Sequence, residues 1–207
     1  MMEQNKPTQC HIGQGYYPVF TPLQIKRYIL ENPRWYTAYT PYQSEVSQGR
    51  LEMLHNYQVL IQRITGMELA NSSLLDEANA AIESMFLAKR FYQKKKKGKH
   101  VFLLDSQCYQ HVKEAIYTSA NQFLNELEVV EVDWSELNVG KEHHEITQQI
   151  TQKVEEQTGQ TDMKSCVIGA LFQSPNSQGI VNDFTDMVDS IKGFDCLNIL
   201  GTDLMYR

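Results

Sequence analysis

The 207-residue sequence has little that would staple it, anchor it or charge it strongly. Its four cysteines, Cys10, Cys108, Cys166 and Cys196, are widely spaced and form no C-x-x-C pair. Neither a zinc site nor a disulfide framework follows from that spacing, and reduced, mostly buried thiols are expected. No apolar run approaches the roughly 18 residues of a membrane span. Met1-Met2-Glu3-Gln4-Asn5-Lys6 lacks both a secretory apolar core and an arginine-rich transit pattern. Neither G-x-G-x-x-G nor G-x-x-x-x-G-K-[ST] occurs, which sets aside a nucleotide-binding α/β domain. Positive charge is short as well: 19 Lys and Arg face 25 Asp and Glu, a net charge of −6. A polyanion binder needs a clustered positive surface, so nucleic acid is not an expected partner. The chain reads as soluble and from a reducing compartment, or as a piece of such a protein.

What is present is a globular composition, 42% hydrophobic and 21% charged, long enough to bury a core. Residues 1–46 read as an arm with an aromatic loop. Thr21 can cap a short helix that has Pro22 at its first position, and Pro33 stops it. Trp35 to Gln43 then forms an aromatic loop, with Pro41 holding Thr40 extended. Leu51, Leu54, Tyr57, Ile61 and Ile64 recur at helical spacing, so a helix over about 47–65 is expected to turn that face inward. Gly66 closes it in the left-handed region. A second helix follows, with Leu75, Ala78, Ile82, Met85 and Phe86 inward and a capping box from Ser73 to Asp76.

Beyond it, strand and helix alternate. Strands are expected near 101–104, 128–132, 167–172 and 197–201. Helices are expected from about Gln107 to Gln122, from Glu142 to Glu156 with Ile146, Ile150 and Val154 buried, and around Phe184, Val188 and Ile191. That alternation predicts an α/β domain over 47–207, a mostly parallel sheet flanked by helices. Arg207 follows directly on a strand, where catalytic loops of open sheets lie, so a truncated domain is expected.

Few features carry chemistry. Lys94 to Lys97 and Lys99 stand where a helix runs out, and read as a solvated helix end. His143 and His144 are adjacent and cannot make an i, i+4 metal pair, and no metal site is expected. Ser72 and Ser73 are either an ordinary cap or a phosphate loop. Tyr39, Thr40, Tyr42 and Gln43 put two phenols, a hydroxyl and an amide on a stiffened turn. That set suits a polar ligand, or equally a structural loop stacked on Trp35.

The run Tyr36-Thr37-Ala38-Tyr39-Thr40-Pro41-Tyr42-Gln43-Ser44-Glu45-Val46-Ser47-Gln48-Gly49-Arg50-Leu51-Glu52 resembles the N-terminal half of the glycine decarboxylase P-protein family. So do Asn56-Tyr57-Gln58, Ile64-Thr65-Gly66, Ala70 to Glu77, His11 to Tyr17, and Leu171 to Pro175 with Gly179 and Asp183-Phe184. The resemblance implies a fragment of the large domain of a fold type I transferase that uses pyridoxal phosphate. In that family the C-terminal half carries the lysine that holds the cofactor, and the N-terminal half is a degenerate copy beside it. The implied reaction decarboxylates glycine and passes the aminomethyl group to the lipoyl arm of H-protein.

By the same resemblance, Tyr39, Thr40, Tyr42 and Gln43 face the shared site. Ser72 and Ser73 are a vestigial phosphate loop, and Asp203 is a vestigial partner of the pyridinium nitrogen. No lysine follows Asp203, so this chain alone is expected to be inactive, with pyridoxal phosphate bound by the catalytic half. An inactive leftover or scaffold of the family is the alternative. The sequence departs from the family at Ser44, at Ala78-Asn79 and at Tyr109-Gln110, where a proline, Gly-Thr and His-Pro are usual. Localisation is expected in the mitochondrial matrix in a eukaryote, though no transit peptide is visible, and otherwise in the cytoplasm.

Overall fold

The computed structural model describes residues 8–36, 41–96, 98–123, 126–137 and 142–206. Tyr39 and Thr40 lie outside the described residues. The chain divides into two compact units, Met1–Ser73 and Leu74–Arg207, so the boundary expected after residue 46 falls inside the first.

The first unit is helical. Helix α1 (Leu23–Ile25) continues as a wider π turn, Lys26–Leu30, and Pro22 is its N-cap without a side-chain bond. The expected first-position proline is therefore one residue outside the helix. Pro33 does not stop this helix but opens α2 (Pro33–Tyr36), where its missing N–H is harmless. Trp35 and Tyr36 thus sit in a helical turn rather than a loop. Helix α3 (Gln48–Thr65) closes on Gly66, whose φ is 71° and whose N–H meets the Gln62 carbonyl at 2.7 Å. None of its residues is buried: Leu51, Tyr57 and Ile64 stay 38, 45 and 51% exposed. The expected inward face is amphipathic without being covered.

The second unit is a three-layer α/β sandwich. Helix α4 (Glu77–Tyr92) starts after Asp76, whose Oδ1 accepts the Asn79 N–H at 2.8 Å. The cap is therefore Asp76 and not Ser73, because Leu74 and Leu75 never enter the helix; Leu75 is 88% exposed. Ala81, Met85, Ala88 and Tyr92 form its buried stripe. Strand β1 (His100–Asp105), helix α5 (Gln110–Phe123) and strand β2 (Leu127–Val132) follow. Then come α6 (Trp134–Leu137), α7 (His143–Thr158), α8 (Met163–Cys166) and β3 (Val167–Ser174). Helix α9 (Thr185–Ser190) and strand β4 (Leu197–Thr202) complete it. The order is β2-β1-β3-β4 and every pairing is parallel, as the alternation implied.

Both faces of the sheet are covered. Val101 and Leu103 point to α7 and α9, where Ile146, Ile150 and Val154 are at most 1% exposed. Phe102 and Leu104 point to α4 and α5, against Met85, Val112 and Ile116. This is why β1 reads as one unbroken apolar run. The register of β3 against β1 shifts between Val101↔Val167 and Phe102↔Gly169, which leaves Ile168 as an extra residue. The bulge turns Ile168 and Gly169 to the α4 side in succession, and the Phe102 ring occupies the place of the missing side chain. A Cβ on Gly169 would lie 2.8 Å from Phe102 Cε2.

Gly169→Ala should therefore lower unfolding stability by about 1–3 kcal/mol, the range for overpacking a core. Gly193→Ala, with nothing within 4 Å of its built Cβ, is the matched control and should stay near zero. Urea midpoints of the two variants check this, and equal midpoints would remove the steric reading.

Candidate functional site at the carboxyl ends of the strands

The fully buried strand β1 ends on a carboxylate. Asp105 is 2% exposed; its Oδ1 accepts the Gln107 N–H at 2.9 Å and its Oδ2 accepts the Gln173 N–H at 3.0 Å. One side chain thus ties the end of β1 to the end of β3. Burial pushes its pKa up to about 6, with the nearby Asp133 adding to the rise and the two N–H donors and Lys113 opposing it.

Around it the loops close with polar bonds. Gln173 is 1% exposed, and its Nε2 donates to Glu77 Oε1 at 3.0 Å, at the first turn of α4. Among the described residues its Oε1 has no partner, and it faces Gly201, where a Cβ would lie 2.8 Å from that oxygen. The Tyr109 hydroxyl donates to the Pro175 carbonyl at 3.0 Å, and its ring is parallel to that of His111. Asn176, 3% exposed, holds the loop after β3 by accepting the Gln178 and Ile180 N–H groups, each at 3.0 Å. That loop meets the loop after β1 where the Ser177 N–H reaches the Gln107 carbonyl at 2.8 Å. Burial raises the Cys108 thiol far above its ordinary value, so it is not a nucleophile at neutral pH.

Of the residues singled out from sequence, Asp203 follows β4, and its Oδ1 accepts the Met205 N–H at 2.8 Å. Tyr42, 78% exposed, and Gln43 lie in the first unit, just before a 3-10 turn at Ser44–Val46. Ser72 and Ser73 end that unit, ahead of the Asp76 cap. Asp105 and Gln173 were not singled out. A usable signal existed, since each is the polar residue near the carboxyl end of a continuous apolar run. Lys96 was missed inside the lysine run: it is 5% exposed, and its ammonium donates to the Val167 and Phe194 carbonyls. The expected solvated helix end is corrected there, because the turn in which the Lys95 and Lys96 N–H groups meet the Tyr92 carbonyl carries the Lys96 side chain inward.

A phosphate-bearing cofactor at the carboxyl end would need free N–H donors and unpaired cations. At the start of α4 the Asn79 N–H is taken by Asp76, and Glu77 adds a second carboxylate. Two negative charges there oppose a phosphate. The Lys113 ammonium is paired with Glu131 Oε2 at 3.3 Å, and Tyr109 fills the space between the β1 and β3 loops. These residues do not fit the group. Among the described residues no set of three His, Cys, Asp or Glu could hold a metal ion, and no helix is long and apolar enough to cross a membrane.

Residues 1–206 match the family model of the glycine cleavage system P-protein. A glycine dehydrogenase (decarboxylating) of Allorhizobium ampelinum is 40% identical over 200 residues, 97% of this chain and 18% of that protein. The mitochondrial glycine dehydrogenase (decarboxylating) of Dictyostelium discoideum is 37% identical over 203 residues, 98% of this chain and again 18% of the relative. A crystal structure of glycine decarboxylase (P-protein) of the glycine cleavage system, in inhibitor-bound form, superposes with a TM-score of 0.69. It is 22% identical and covers 96% of this chain and 39% of that one. The α/β fold with a parallel sheet is thus shared with that structure. The chain spans about a fifth of the length of the curated relatives it matches.

The Asp105 carboxyl generates a pH dependence. Its folded pKa lies above the unfolded value near 4, so the native chain binds more protons between about pH 4 and 6. Its contribution to stability is then present below that window and lost as pH rises through it, by up to about 3 kcal/mol. Asp105→Asn should flatten this slope in urea midpoints taken from pH 4 to 7. A variant that kept the wild-type slope would show that another group titrates.

Proposed function

The chain belongs to the glycine cleavage system P-protein family, and we propose that it is the N-terminal part of a glycine dehydrogenase, working only beside a catalytic C-terminal half. That family depends on pyridoxal phosphate, and glycine and H-protein are the substrate and partner that membership implies. The observation that carries the reading is 40% identity over 97% of the chain to a protein of which it spans only 18%. The cofactor, when bound by the catalytic half, supplies the electron sink for loss of the carboxyl group. This chain's own part is positioning.

On this reading Tyr39, Thr40, Tyr42 and Gln43 face the shared site, and the phenols donate to the glycine carboxylate. A neutral donor orients the carboxylate without bringing in a full charge. Asp203 and the serines Ser72 and Ser73 are relics of a cofactor site, a reading supported by the two carboxylates at the start of α4. The chain alone is inactive because the cofactor lysine belongs to the other half. Localisation follows the host: one relative is named mitochondrial and others are bacterial, so matrix and cytoplasm are the respective proposals.

The experiment is reconstitution with a catalytic C-terminal half, followed by glycine–bicarbonate exchange. Tyr42→Phe loses one hydroxyl on an exposed ring, so its melting temperature should barely move. Exchange should fall about tenfold, the equivalent of about 1.4 kcal/mol in the transition state. Tyr39→Phe should behave alike. Full exchange in both variants would take the tyrosines out of the site, and no exchange in the wild-type mixture would favour the inactive scaffold.

A further inference from the structure

The opposite, amino end of the sheet holds an open cleft of about 800 Å³, a volume suited to a small molecule. It is lined by Lys89, Lys94, Lys96, Lys99, His100 and Glu126, among others. In a chain of net charge −6, this cleft gathers four ammonium groups.

They are not all loose surface side chains. The Lys89 side chain is 12% exposed, and its Nζ lies 2.7 Å from His100 Nδ1 and 3.4 Å from Glu126 Oε2. An ammonium can only donate, so Nδ1 accepts and His100 is the neutral tautomer with its proton on Nε2. That Nε2 is 3.3 Å from the Lys96 carbonyl. Burial, with the charges of Lys89 and Lys96 beside it, keeps His100 below its usual pKa. Lys96 has its ammonium on carbonyl oxygens and 4.4 Å from the Tyr92 ring centroid. Its charge is met by dipoles and a π face. Lys99 pairs with Glu128, whereas Lys94 makes no ion pair among the described residues. Two of the last carbonyls of α4 are engaged: Lys89 O takes the Gln93 N–H, and Tyr92 O takes those of Lys95 and Lys96. Four ammonium groups against the carboxylates of Glu126, in the lining, and Glu128, on Lys99, leave the cleft cationic, and a cleft of one sign focuses its field.

We propose that this cleft binds a small oxyanion carrying at least two negative charges, a phosphate or a polycarboxylate, held by Lys89, Lys94 and Lys99. Ammonium groups on flexible stems are point-charge donors, which suits compact oxyanions better than a planar surface. The acidic balance of the rest of the chain works against an extended polyanion and leaves a small one as the occupant.

The test titrates the full chain with pyrophosphate and, separately, with citrate, by calorimetry at fixed ionic strength. One saturable site is expected, with the Lys94→Gln/Lys99→Gln double variant binding at least tenfold more weakly. Lys192→Gln, outside the cleft, should bind as the wild type does, and circular dichroism confirms that each variant is folded. Saturation by pyrophosphate alone identifies a phosphate site, and saturation by citrate alone a carboxylate site. No saturable binding of either probe overturns the proposal, as does a folded double variant that binds with wild-type affinity.

Discussion

All six residues of β1 and all eight of β3 are buried, and the packing of the second unit hangs on that central pair. Burying both faces of two adjacent strands demands a helical layer on each side, which α4 with α5 and α7 with α9 supply. Each fully buried Val, Leu, Ile or Phe of the pair contributes about 1.5–3 kcal/mol. The same burial makes the ends of the strands expensive places for polar groups. Asp105 and Gln173 persist there because each is answered: the carboxylate by two N–H groups, and the amide nitrogen by Glu77. The fit at Gly169 is one consequence of the register shift, and the empty side of Gly201 beside Gln173 is another close approach at the far end.

The sheet and its helices were legible in the sequence because their signals are local. Ile146, Ile150 and Val154 at four-residue steps state a helix face, and Val101 to Leu104 state a strand covered on both sides. The bulge at Ile168 was not legible, since it answers to the volume of Phe102, which is distant in sequence. The α3 stripe shows the limit of periodicity: it says that a face is apolar, and says nothing of what covers it. Helix starts moved by a few residues where short side chains captured N–H groups. Asp76 took the cap from Ser73, and Asp105 held residues 106–109 in a turn before α5.

The candidate site was less legible than the fold. Family resemblance drew attention to Tyr39, Tyr42 and Asp203, and not to Asp105 and Gln173, the buried polar residues at the carboxyl ends of β1 and β3. That cluster announces itself only as a polar residue ending an apolar run, a signal that ordinary strand ends also give. Lys96 was hidden for the opposite reason. A run of lysines reads as solvent-facing, and the turn that closes α4 carries Lys96 inward.

Helix α4 links the two ends of the sheet chemically. Its first turn carries Glu77 behind the Asp76 cap, and its last turn carries Lys89 and Arg90, followed by the lysine run. Both placements favour the helix dipole, acids at the positive end and bases at the negative end. Helix α4 lies with its N-terminus near the carboxyl end of β3 and runs toward the amino end of β1. One rule of helix electrostatics thus delivers carboxylates to one end of the sheet and ammonium groups to the other. The carboxylates make the carboxyl end a poor place for a phosphate. The ammonium groups, gathered over His100 at the amino end, make a small oxyanion a natural occupant there.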